Sequence, residues 1–130
     1  MRYIGIDYGT QRVGVAVSDD DGRIAFPKKI LFNSGTSRLV KEIKALCKEQ
    51  PVEAIVVGLP MWGDGGKTDL ASHIKIFGQL LGAATGCLIQ YQNEILSSRE
   101  ARALKKKDQH IDQVSAALIL QAYLDNRGTR

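Results

Sequence analysis

The spacing of apolar and polar positions along the 130 residues changes several times, and each change marks an element. "YIGID" (3–7) and "VGVAVS" (13–18) are short runs rich in β-branched residues, the pattern of strands. Between the second run and the next, "DDDG" (19–22) is a hairpin signal, because Asp-Gly supplies the positive φ that tight turns need. "IAFPKKILF" (24–32) predicts a third strand, and Pro27 assigns it to a sheet edge, where a missing N–H is tolerated. From Ser37 to Lys48 the period lengthens: Leu39, Ile43, Leu46 and Cys47 share one helical face, and Pro51 ends the helix. "EAIVVGLP" (53–60) is continuously apolar, the mark of a central strand covered on both faces. A loop, "GDGGKTD" (63–69), leads into a helix with Leu70, Ile74, Phe77 and Leu81 at helical spacing. "GCLIQYQ" (86–92) predicts a fifth strand, Ser97 and Glu100 a capping box for a short helix through Leu104, and "KKKDQHI" (105–111) a break. The chain then enters an almost wholly apolar, and hence largely buried, helix over 112–126.

The order β-β-β-α-β-α-β-α-α predicts an α/β fold in a single domain over residues 1–130. A three-strand antiparallel meander followed by right-handed crossovers gives a mixed five-stranded sheet, three strands antiparallel and two more parallel to the first, with helices on both faces. Strands one, four and five then end at a common edge, where open α/β sheets place their sites. Asp7, the "GLP" loop after Gly58, and Glu94 all fall there. That placement bears on an oddity of the first strand, an apolar run closing on a carboxylate. An uncompensated buried charge would cost several kcal/mol, so Asp7 is either solvated at the strand end or faces something positive.

Composition narrows the class. An apolar share of 44% supports a real core, and 25% charged residues is ordinary for a soluble domain. No run of about 18 apolar residues suggests a membrane span, and "RYIGID" near the start leaves no room for an apolar leader, so a cytoplasmic location is expected. Cys47 and Cys87 lie far apart in sequence and match no metal-ligand spacing. They read as buried free thiols in a reducing compartment. The net charge of +4 is concentrated toward the end: residues 1–94 carry 11 Lys+Arg against 10 Asp+Glu, residues 95–130 carry 7 against 4. The patch around "REARALKKKDQH" suits a polyanion, although a solvated helix end would look the same.

Candidate chemistry rests on three acids. Asp7 and Glu94 end neighbouring parallel strands, and Asp112 opens the last helix. Carboxylates converging without His or Cys make a hard, oxygen-rich site of the kind that suits Mg²⁺ or Mn²⁺, and such ions hydrolyse phosphodiesters. Each acid also has an ordinary reading: Asp112 a helix cap, Glu94 a loop acid, Asp7 the support of the turn in "DYGT". His73 and His110 read as surface residues, and Ser97 and Ser98 as caps, since no His base is placed near them. Trp62 could stack on a base or pack locally.

With these residues in hand, the chain resembles the YqgF/RuvX family of bacterial proteins, within the ribonuclease H-like superfamily, over essentially its whole length. "GIDYGTQRVGVAVSD" is similar to the family's opening D-x-G…G-V-A strand pair, "IVVGLPMWGDG" to its V-G-L-P segment, and "IDQVSAALILQAYLD" to its final Asp-led helix. The resemblance implies a ribonuclease H-like fold and a nuclease linked to processing of the precursor of small-subunit ribosomal RNA, in a family earlier proposed to resolve Holliday junctions. It places catalysis and metal ligation on Asp7, Glu94 and Asp112. Where the family has D-E-R followed by Thr or Ser, this chain has Asn93-Glu94-Ile95. Asn93 brings no charge to a metal, and Ile95 no bidentate fork.

The leading expectation is thus a Mg²⁺- or Mn²⁺-dependent nuclease acting on RNA, its substrate backbone held by Arg99, Arg102, Lys105, Lys106 and Lys107. Cleavage of branched DNA is the alternative within that class. A catalytically silent nucleic-acid-binding module is a third reading, favoured by the Asn93 and Ile95 departures. A fourth is an actin-like nucleotide-binding domain, because "DYGTQRVGVAV" also resembles the phosphate-binding strand-turn-strand of that superfamily. Those proteins close two such domains over a nucleotide, and this chain has residues for one.

Overall fold

The sheet runs in the order β3-β2-β1-β4-β5, built from β1 (Arg2–Asp7), β2 (Arg12–Ser18), β3 (Ala25–Phe32), β4 (Val52–Trp62) and β5 (Leu88–Leu96). β1, β2 and β3 pair antiparallel, while β4 lies parallel to β1 and β5 parallel to β4, as expected. The computed structural model describes residues 1–64, 66–96 and 109–128, without the side chains of 95, 96, 109–113 and 128. The short helix expected at 97–104 lies outside the described residues.

Strand alternation sorts the core into two layers. Ile4, Ile6, Val13, Val15, Ile55, Val57 and Leu59 face one way. There they meet α1 (Thr36–Glu49), through Leu39, Ile43 and Leu46, and α2 (Asp69–Thr85), through Ala71, Ile74, Phe77 and Leu81. Tyr3, Ala16, Ala54 and Val56 face the other way, onto Ala116, Ile119, Leu120 and Leu124 of α3 (Gln109–Gly128). Helices therefore cover both faces. α2 starts on Thr68, whose hydroxyl accepts the Ala71 N–H at 3.1 Å, and ends on Gly86, whose φ of 73° lets its N–H return to Gly82 O at 2.9 Å.

The turn chemistry is as the sequence indicates. Gly22 has φ 68°, and the Asp19 carboxylate accepts the Arg23 and Ile24 N–H groups at 2.8 and 3.1 Å. Those two bonds hold the Asp19 carboxyl below its usual range, the Ile24 contact contributing most. Pro27 lies on the outer strand β3, opposite Ala16, where the register slips.

Three boundaries differ from expectation. β4 continues past residue 60 to Trp62, through Pro60. This is possible because β1 pairs with β4 only as far as Ile6 with Val57, leaving one flank of β4 open beyond that point, and the Pro60 carbonyl accepts from Thr68 Oγ1 at 3.2 Å. β5 runs to Leu96, so Glu94 sits within a strand, paired with Pro60, and not in a loop. α3 begins at Gln109, so Asp112 lies inside its first turn and does not open it.

The two cysteines, distant in sequence, are neighbours in space and only half-buried. The Cys47 thiol is pushed up to about 12 by burial first and by Cys87 beside it second, and Cys87 Sγ donates to Val52 O at 3.8 Å. Among the described residues no helix is long and apolar enough to cross a membrane.

Candidate active site at the acidic sheet edge

Asp7 is the last residue of β1, and alternation puts it on the α3 face, with Tyr3 and Gly5. It is half-buried. Beside it comes Gly58, one residue past the Ile6–Val57 pair, and beyond that β5. On β5, Ile89 and Tyr91 pack toward α1 and α2, so Glu94 points the opposite way, to the same face as Asp7. Its Oε2 lies 3.4 Å from the point a Cβ on Gly58 would occupy. The Glu94 carboxylate thus reaches back over Gly58, the one residue separating its strand from Asp7.

Gly58 is where this arrangement is decided. A Cβ there would stand 2.5 Å from Ile119 Cδ1, so the bare backbone admits α3 where the Glu94 carboxylate also comes into contact. Gly5 does the same for α3 one strand over, where a Cβ would meet Leu120 Cβ at 2.7 Å and Ala116 O at 2.9 Å. These glycines were read only as parts of apolar runs. Their signal was present in the small residues interrupting β-branched strands, but its meaning requires knowing which helix lies above them.

α3 runs antiparallel to β1, with Arg127 over the Tyr3 ring and Ala116 over Gly5. Position 112 is one turn before Ala116, about 6 Å along the helix, and Asp7 is two residues beyond Gly5, about 7 Å along the strand. The two therefore share a level at the same edge. The Asp112 side chain belongs to the undescribed atoms, and among the described residues no group of three His, Cys, Asp or Glu side chains comes together. Arg99, Arg102, Lys105, Lys106 and Lys107 also lie outside the described residues, as do Ser97 and Ser98.

Asn93 stands apart from the acids. Alternation turns it to the α1/α2 side, away from Glu94, and it is exposed. The loss of an acid at this position therefore leaves the Asp7–Glu94 face unaltered. His73 is exposed on α2, as expected of a surface residue.

The turn after Asp7 is held from two sides. A Cβ on Gly9 would lie 2.4 Å from Arg12 O, so only glycine fits. Asn33, which no sequence pattern singles out, donates through Nδ2 to Gly9 O at 2.9 Å, and its N–H bonds Gln11 O at 2.8 Å. The Tyr8 ring packs on Phe77 with centroids 4.9 Å apart, anchoring the end of β1 to α2. Asp7 is thereby presented on a rigid support.

The RuvX family, described as "Holliday junction resolvase", matches residues 1–126. A protein of Nitratidesulfovibrio vulgaris is 38% identical, covering 96% of this chain and 94% of its own. One of Protochlamydia amoebophila is also 38% identical, over 97% of this chain and 94% of its own. Both carry the name "Putative pre-16S rRNA nuclease". Among solved structures, RuvC of Thermus thermophilus superposes with a TM-score of 0.60 at 13% identity, over 99% of this chain and 98% of that one. The fowlpox virus Holliday junction resolvase superposes with a TM-score of 0.59 at 14% identity, over 97% and 99%. At these identities the likeness establishes a shared ribonuclease H-like fold.

Proposed function

This chain belongs to the RuvX family, and from that premise we propose that it is a metal-dependent nuclease acting on RNA, with the precursor of 16S ribosomal RNA as substrate. The observation carrying this reading is the pairing of Asp7 and Glu94 on one sheet face across Gly58, with position 112 of α3 at the same level. Half-buried carboxylates with no His or Cys among the described residues of this edge fit a hard divalent cation, Mg²⁺ or Mn²⁺, better than a softer ion. Asp7, Glu94 and Asp112 would hold it. When bound, such an ion lowers the pKa of water and offsets charge developing on a phosphodiester.

The chain's own residues supply position and field. Asp7 is fixed by the Gly9–Asn33 clamp, and Glu94 by the β4–β5 ladder. Both therefore present oxygens from rigid strands, which favours binding over reorganisation. Carboxylates at this edge would repel a phosphate, and a cation held by them would offset that repulsion, so metal and substrate binding would reinforce one another. Arg99, Arg102, Lys105, Lys106 and Lys107 supply positive charge along the substrate backbone, in the segment leading into α3.

Cleavage of branched DNA is the second reading, favoured by the description of the matching family. The test sets precursor 16S rRNA fragments against four-way DNA junctions, with Mg²⁺, Mn²⁺ or EDTA. Metal-dependent cleavage of the RNA alone is expected. Cleavage of the junction alone would transfer the substrate to DNA, and metal-free binding with no cleavage of either would make the chain a binding module.

A further inference from the structure

β4 runs on past the reach of β1, and its last residues alternate between the two faces of the sheet. β1 pairs with β4 only as far as Val57, while β5 stays paired with it, without a shift of register, through Trp62 opposite Leu96. Leu59 and Met61 pack into the layer under α1 and α2, and a Cβ on Gly58 would point at Ile119 of α3. Alternation therefore sends Pro60 and Trp62 to the α3 face. That is the face of Asp7 and Glu94. Trp62 stands two residues, about 7 Å, past Pro60, which is the strand partner of Glu94.

Trp62 belongs to neither core layer and keeps 41% of its surface exposed, although tryptophan is on average a well-buried residue. Its backbone is nonetheless held from both flanks. β5 pairs with it on one side. On the other, Trp62 N–H donates to Gly66 O at 2.8 Å, and Met61 forms an antiparallel bridge with Lys67. Thr68 Oγ1 donates to Pro60 O at 3.2 Å, and the Asp64 carboxylate accepts Gly66 N–H at 2.8 Å, which closes the turn. The indole is thus a broad, uncharged aromatic surface on a fixed strand end, beside the carboxylates of Asp7 and Glu94.

We propose that Trp62 is a stacking platform for an unpaired base of an RNA strand whose backbone crosses the Asp7–Glu94 edge. The choice of RNA rests on the nuclease reading above, and the platform adds to it a substrate that is single-stranded next to the bond to be cut. Carboxylates repel a phosphate, but a base is uncharged, so the group best suited to lie on the indole beside this edge is the base. A base paired and stacked within a duplex has no free face to offer, whereas one in a loop or at an end does. Stacking on an aromatic ring is indifferent to base identity, so the platform selects for an unpaired strand and not for a sequence. A rigid aromatic with few rotatable bonds also loses little conformational freedom on binding.

Trp62 is the chain's only tryptophan, so indole emission reports on this platform alone. The test titrates the protein in EDTA, where nothing is cleaved, with a single-stranded RNA, with the same sequence as a duplex, and with an abasic ribose-phosphate strand of equal length. Binding is followed in parallel by anisotropy of the labelled strand. The single strand should quench the emission at saturation, and the abasic strand and the duplex should not. Trp62→Ala should weaken single-strand binding about fivefold or more, and Trp62→Phe should recover most of that loss. The log–log salt slope should be the same in all three proteins, because no phosphate contact is lost. Melting of each variant checks folding, and Trp62→Phe, which keeps a ring at the strand end, carries the comparison if the alanine variant unfolds. Unquenched emission at saturating single strand, equal quenching by the abasic strand or the duplex, or unchanged affinity in Trp62→Ala overturns the platform. If the wild type cleaves RNA with Mn²⁺ while its emission does not respond to the strand, the platform falls and the nuclease reading stands. If the emission is quenched but no metal-dependent cleavage is found, the reverse holds.

Discussion

At the scale of single residues, Asp7 shows how an acid can close an apolar strand without destabilising it. It stands half-buried at the strand end, on a face shared with Glu94, where a cation would compensate it. Asp7→Asn is nearly isosteric, and a metal-ligand role for Asp7 at a solvated strand end predicts that thermal stability of the metal-free protein stays close to wild type. Mn²⁺-dependent cleavage should fall by orders of magnitude. A destabilisation of about 3–5 kcal/mol would instead mean that Asp7 neutralises a buried partner. Asn93 makes the contrasting case. In the sequence it adjoins Glu94 and looks like a lost ligand, but a strand sends neighbours to opposite faces. Asn93→Asp is expected to leave Mn²⁺ affinity unchanged by calorimetric titration; a tightening would require β5 to turn over in the metal-bound protein. Asp7 was legible as a strand-end acid; Glu94 was placed at the same edge, but it lies within β5 and not at its end. The direction of Asn93 was not, because the expected strand stopped at residue 92 and alternation could not be carried past it.

At the scale of elements, the contact of α3 with the sheet sets the site. Gly5 and Gly58 let the helix lie directly on β1 and β4, and the Glu94 carboxylate lies over Gly58. Gly58→Ala introduces a methyl 2.5 Å from Ile119 Cδ1, so the helix or the Ile119 rotamer must shift. The expected cost is about 1–3 kcal/mol in chemical denaturation, with weaker Mn²⁺ binding as α3, which carries Asp112, is moved on the sheet. If stability falls but metal affinity is untouched, the ligand role of Asp112 is in doubt. The helices themselves were readable from period and punctuation: Pro51 after α1, Gly86 after α2. The extensions of β4 and β5 were not. A proline in a strand normally marks an edge, and only the early end of β1 makes a central strand one-sided at Pro60.

At the scale of the whole molecule, a second group of polar ties gathers at the end of the sheet opposite the candidate chemistry. The acids sit where β1, β4 and β5 finish. At the other end, Arg2 pairs with Asp20 at 2.8 Å, Tyr3 Oη donates to Glu53 Oε2 at 2.8 Å, and the Arg127 guanidinium lies 4.7 Å above the Tyr3 ring. Gln121 adds a further tie, accepting Ala25 N–H at 2.9 Å and donating to Arg23 O at 2.9 Å. Burial first, then the Glu53 hydrogen bond, raises Tyr3 from 10.0 to about 12, against the opposing pull of Arg127. A folded pKa above the unfolded one means stability that is complete below pH 10 and lost as pH climbs through 12. Burial gives Cys47 and Tyr91 the same sign. Melting temperature should therefore decline over that alkaline window. Tyr3→Phe should cost about 1 kcal/mol at neutral pH and make the decline shallower, without changing cleavage. An equally steep decline in the variant would assign the effect to the other groups.

The amino-acid sequence by itself determined the order of the described elements, the antiparallel-then-parallel sheet, the edge strand at Pro27 and the edge at which Asp7 and Glu94 meet. These follow from local physics, the period of apolar positions and the few residues that permit a turn or forbid a hydrogen bond. Tertiary structure alone decided which acids share a face, that Gly58 makes room for Ile119 of α3, that Cys47 and Cys87 come together across 40 positions of sequence, and that Lys67 bridges the flank β1 leaves open. Each of these depends on where one strand ends beside another. That is set by close packing between segments remote along the chain, and a local pattern carries no record of it.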